Sequence, residues 1–188
     1  MRLPAPRIVP LSDAELTPEA RAALGALPEF AQAFNIFRTQ AHNPAALKAF
    51  LAWGNYILSD ANALPARTRE LAILRTGFLC KAGYEWAQHT VIGAQAGLTA
   101  AEIAAIKQGA DAPGWSALDA AIITACDELV RGHFITDATW AALAPLGDTG
   151  RTDIVYTVGQ YTQVSMLLNS CGVQLDPGLT PDPDLDQL

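Results

Sequence analysis

Cysteine is scarce in this chain, and it never falls in a pair. Cys80, Cys126 and Cys171 lie far apart, so the sequence holds neither a Cys-x-x-Cys redox motif nor a cysteine-based zinc site. Isolated thiols of this kind fit small, reduced, buried side chains in an intracellular protein. Long apolar runs are also lacking. Hydrophobic residues make up 51% of the chain, yet no run approaches the roughly 18–20 residues that span a bilayer. No apolar stretch follows Arg2 and Arg7, so a secretory leader is not expected. Positive charge is short: 12 basic side chains face 19 acidic ones, a net charge of −7. That balance opposes nucleic-acid binding, which needs a basic footprint. The expectation is a soluble, cytoplasmic protein that binds neither nucleic acid nor membrane.

Helix punctuation is plentiful. Thr17-Pro18-Glu19 supplies an N-cap, a proline in the first turn and an acid beside it. Similar signals recur at Asn43-Pro44 and Leu64-Pro65, and Thr99 with Glu102 makes a capping box. Apolar residues then repeat at helical spacing, as in Ala46, Phe50, Trp53 and Ile57, or Leu118, Ile122, Cys126 and Leu129. Strand-like alternation is weak; its best candidate, Asp153 to Val158, runs on into an apolar stretch and reads as helix. The pattern predicts an all-α, single helical domain of eight or nine helices, near 17–25, 29–41, 43–59, 65–80, 84–97, 99–109, 116–131, 136–145 and 150–170. Residues 1–16 read as an extended arm, 17–176 as the helical domain, and 177–188 as an acidic, solvated, flexible tail.

The chemistry concentrates between Leu64 and Leu98. The helix from Pro65 to Cys80 is largely apolar from Leu71 onward, yet it carries Glu70 and Arg75. Buried ionised groups need partners. Lys81-Ala82-Gly83 makes a short turn, favouring an antiparallel pair of helices. On the second helix Glu85 and His89 are four residues apart and share a face. A straight hairpin leaves Glu70 roughly 5–10 Å beyond His89 along the axis. A helix tilt, a second subunit or a bridging water would close that gap. The plainer alternative is an i,i+4 pair of Glu85 with His89 and an arginine on Glu70.

These residues carry a resemblance. Arg67-x-Arg69-Glu70-Leu71-Ala72-Ile73-Leu74-Arg75, then Tyr84-Glu85-Trp86-x-x-His89, then Ala94-x-Ala96-Gly97-Leu98-Thr99 with Glu102-Ile103, resembles the core of the carboxymuconolactone decarboxylase superfamily. That superfamily includes the alkylhydroperoxidase-D-like proteins. Pro44 to Leu98 resembles its whole conserved unit; Ala125 to Trp140 and Gly159-Gln160-Tyr161-Thr162 resemble its longer members. In the thiol branch a glutamate, a Cys-x-x-Cys pair and a histidine relay protons. The glutamate and histidine positions match Glu70 and His89, while the two cysteine positions fall on Ala82 and Glu85. The resemblance therefore implies the fold without the dithiol.

What it implies further is a cofactor-independent lyase or decarboxylase acting on a small carboxylated lactone or ring-cleavage product of aromatic catabolism. Glu70, Glu85 and His89 are its expected catalytic residues, with His89 titrating near neutrality as general acid and base. Arg75, and less directly Arg67 or Arg69, would hold a substrate carboxylate. Tyr84, Trp86 and Tyr161 are the other expected pocket residues. Two alternatives stay open: a peroxiredoxin-type hydroperoxide reductase, and a metal site on Glu70, Glu85 and His89. A homo-oligomer, a trimer, hexamer or related ring, is implied as well.

Overall fold

The computed structural model describes residues 2–186, apart from the side chain of Asp186. Met1, at the start of the expected arm, and Gln187 and Leu188, at the end of the expected tail, lie outside the described residues. The described chain is all-helical, with no strand. Ten α-helices follow in order: α1 (Pro18–Leu24), α2 (Asn35–Gln40), α3 (Pro44–Leu58), α4 (Ala66–Leu79), α5 (Gly83–Gln95), α6 (Ala100–Gln108), α7 (Ala117–Gly132), α8 (Asp137–Ala142), α9 (Gly147–Cys171) and α10 (Pro183–Asp186).

α4 is the axle of the molecule, with α5, α6, α7 and α9 all packed on it. Every residue from Glu70 to Gly77 is buried, so this helix shows no solvent stripe over two full turns. It ends in a Schellman turn: Lys81 adopts φ 52°, and the Ala82 N–H donates to the Gly77 carbonyl. That reversal sends α5 back along α4. One core lies among α4, α6, α7 and the start of α9, with Leu71, Leu74, Ile122, Ile123 and Ile154 at its centre. A second, on the other side, gathers Ile36, Ile57, Ile73, Tyr84, Tyr161 and Leu168.

Three departures from the sequence expectation have local causes. The expected helix 29–41 is split into a 3-10 turn at Glu29–Ala31 and α2. Phe34 between them is extended, because the Asn35 backbone N–H is held by Asp176 and its side chain by the Gln174 and Leu175 carbonyls. The expected helix 136–145 stops at Ala142 and continues as a 3-10 turn containing Pro145. The tail is not wholly solvated. Leu185 joins the first core, and Asp182 accepts a hydrogen bond from Trp86 and an ion pair from Lys107.

Candidate active site

The α4–α5 hairpin brings Glu70 and His89 together within one chain: His89 Nδ1 lies 2.7 Å from Glu70 Oε2. The other ring nitrogen, Nε2, lies 2.8 Å from Glu85 Oε1. All three side chains are buried, and Tyr161 from α9 meets the imidazole edge-to-face, centroids 5.0 Å apart. Neither a second subunit nor a water is needed to close the axial gap anticipated from the spacing. Side-chain reach suffices because glycines let the two helices approach. A Cβ on Gly77 would sit 3.6 Å from Glu85 Cγ, and one on Gly93 only 3.1 Å from Leu74 Cδ1 and 3.6 Å from Glu70 Cβ.

This geometry corrects the expectation of a near-neutral histidine. Burial alone pulls the His89 ring down, but the Glu70 and Glu85 carboxylates outweigh it and push the ring up to about 10. With both nitrogens on carboxylates, the imidazolium is the fitted form. Burial, reinforced by the same two carboxylates, pushes the Tyr161 hydroxyl well above its usual range.

A cavity of about 320 Å³ opens beside the pair. Its walls come from α3, α5, α9 and the segment leading into α2; they are mostly apolar, with Phe30, Phe34, Phe37, Phe50, Leu51 and Val164 prominent. Glu85, His89 and Tyr161 line it; Glu70 does not, and stands behind the imidazole. Glu85 and His89 therefore both reach the cavity, with Glu70 on the far edge of the ring. No lysine or arginine is among the described residues of the wall.

The remaining expected site residues divide. Tyr84 lines the cavity, but its hydroxyl is spent on the Asp176 carboxylate. Arg75 does not reach the cavity, which corrects its assignment to substrate. It makes a two-pronged ion pair with Asp127, both bonds 2.8 Å, and donates to the Ile106 carbonyl, tying α4 to α6 and α7. Asp127 is thereby a partner in that tie. Trp86 is corrected likewise: it turns into the first core and donates to Asp182. Arg67 is engaged by Glu102 and Asp119.

Sequence reasoning missed Gln88 and Gln160, both on the cavity wall, and the Asp176 hub that receives Gln88, Tyr84 and Asn35. The available signal was an amide inside an apolar helical stretch. Among the described residues no group of three or more His, Cys, Asp and Glu side chains is placed to hold a metal ion. Each carboxylate caps a different edge of the imidazole, so the three donors do not converge on a point. The three cysteines are unpaired. Burial raises the Cys80 and Cys171 thiols and takes Cys126 up to about 12.

The fold is that of an alkylhydroperoxidase-D-like protein. A peroxidase-related protein from Ralstonia eutropha JMP134 with an alkylhydroperoxidase AhpD core superposes with a TM-score of 0.73 at 19% identity, covering 95% of this chain and 94% of that one. A peroxidase-related protein from Silicibacter sp. TM1040 gives 0.65 at 18%, over 99% and 94%. The debrominase Bmp8, complexed with 2,3,4-tribromopyrrole, gives 0.69 at 16%, over 90% and 91%. Residues 44–127 match the Carboxymuconolactone decarboxylase family. No curated protein matches the sequence.

Proposed function

We propose that this protein is a cofactor-independent acid–base enzyme, moving a proton to or from a carbon of a small, largely apolar substrate. The observation that carries this reading is the cavity-facing Glu85 carboxylate, hydrogen-bonded to an imidazolium that is itself backed by Glu70. Glu85 accepts a proton from substrate carbon, and the C–H electron pair passes into an adjacent carbonyl as an enolate. Glu70 is a positioning residue, holding the ring and balancing its charge. A neighbour of this fold complexed with a bromopyrrole supports a scaffold that accepts small apolar rings.

The carboxylated substrate implied by the family resemblance has less support than a neutral one. Among the described residues no lysine or arginine lines the cavity, and Arg75 is engaged by Asp127 outside it, so a substrate carboxylate would find no ammonium or guanidinium partner there. The test is deuterium incorporation from D₂O into a phenyl-substituted butenolide and into the same compound bearing a carboxylate. Wild type is expected to accelerate exchange of the neutral compound. Glu85→Gln and His89→Gln should each lose roughly 10²–10⁴-fold. Full exchange in both variants would end the reading.

A further inference from the structure

Gln160 stands near the middle of α9, 2% exposed, with its side chain on the cavity wall. Neither its Oε1 nor its Nε2 has a hydrogen-bond partner among the described residues. Buried amides are almost always paired, because leaving donor and acceptor unmet costs the full desolvation of both. The other amides on the wall differ. Gln88 is consumed by Asp176 and Tyr84, and Asn55 is exposed to solvent. Gln160 is thus a desolvated donor and acceptor on the cavity wall with no partner among the described residues. The wall is cut to admit it: a Cβ on Gly54 of α3 would lie 3.6 Å from Nε2, so a larger side chain there would press on the amide.

We propose that Gln160 is a substrate-binding residue and that it selects a neutral carbonyl compound, a cyclic ketone or lactone of one or two rings. This deepens the acid–base reading above and rests on it. The class follows from three features together. The cavity's apolar walls and volume of about 320 Å³ suit one or two rings. Among the described residues no lysine or arginine lines the cavity to pair with a carboxylate. A neutral carboxamide recognises a carbonyl by donating Nε2–H to its oxygen, with Oε1 free for a neighbouring hydroxyl. The same N–H would stay on the oxygen as the enolate forms, so one contact serves binding and charge uptake.

The probes are α-tetralone, tetralin and naphthoate, which share two fused rings and differ in carbonyl and charge. Calorimetric titration of the full-length protein is expected to show α-tetralone binding roughly tenfold more tightly than tetralin, the return on one buried hydrogen bond. Naphthoate should bind more weakly than α-tetralone. In Gln160→Leu, and in the unbranched Gln160→Met should the first variant fold poorly, the tenfold preference should vanish while tetralin affinity holds. The Gln160 side-chain NH₂ resonance, assigned by its loss in the variants, should move with α-tetralone and stay with tetralin. Equal binding of the two neutral probes, a preference that survives loss of the amide, tighter naphthoate binding, or no binding of any probe would overturn the proposal. Exchange at the α-carbon of α-tetralone separates the two readings. Exchange unaffected by Glu85→Gln alongside an intact preference removes only the proton-transfer step. Intact exchange without the preference removes only Gln160.

Discussion

Glu70 and His89, nineteen residues apart on adjacent antiparallel helices, share a buried hydrogen bond of 2.7 Å, and Glu85 holds the opposite edge of the same ring. An imidazole clamped in this way gains its proton on folding, so the arrangement ties stability to pH as well as chemistry to position.

The direction of that coupling is fixed. The ring's folded value, about 10, stands above its ordinary 6.5, so the unfolded chain binds fewer protons between the two. The His89 contribution is fully present below about pH 6.5 and is lost as pH rises toward 10. Melting temperature should therefore fall across pH 7 to 10 in wild type, and fall less in His89→Gln. Parallel slopes in the two proteins would contradict the clamp.

Gly93 sets how closely α5 lies on α4. A valine there meets Leu74 and Leu98 at contacts already as short as 3.1 Å for the Cβ alone. Gly93→Val should destabilise by about 2 kcal/mol and displace Glu70 from His89. Urea denaturation measures the first effect; the His89 ring resonances report the second. An unchanged midpoint would show that the helices separate freely.

Arg75 supports the frame rather than the substrate. Replacing it with methionine leaves Asp127 without its ion pair and the Ile106 carbonyl without its donor. The expected loss is about 3 kcal/mol, the low end for a broken buried pair because Asp127 keeps some solvent exposure. Ligand affinity in the folded fraction should hold. A variant of full stability with weakened binding would restore Arg75 to the site.

Thiol chemistry should be dispensable. Cys80, Cys126 and Cys171 are unpaired, and burial biases each against the thiolate. Replacing all three by serine or alanine should leave carbon-acid exchange intact, and dithiol-dependent turnover of cumene hydroperoxide should be absent from both proteins. Robust peroxide turnover abolished by Cys80→Ser alone would point to a relocated peroxidatic thiol.

Self-association is the remaining expectation. Trp53 of α3 and Val155, Tyr156 and Met166 of α9 expose apolar surface, with Trp53 edge-on to Tyr156. Sedimentation equilibrium should give a species larger than the 19.9 kDa chain. A single monomeric species at micromolar concentration would refute it.

The helical class, the α4–α5 hairpin and the shared face of Glu85 and His89 were legible in the sequence, because capping residues, apolar periodicity and i,i+4 spacing are local properties, whereas Glu70 joined them through the family resemblance. The missing dithiol was equally plain, since Ala82 and Glu85 are read directly. Tertiary structure alone decided the rest. Arg75 and Trp86 flank the motif yet turn into the opposite core, because which side of a fully buried helix faces the cavity depends on neighbours distant in sequence. Asp182 stood in a tail whose composition suggested solvation, with Asp176 just before it, and long-range partners on α2, α5 and α6 bind them. The protonation of His89 was set by a carboxylate on each of its two nitrogens, a charge balance that no single helix contains.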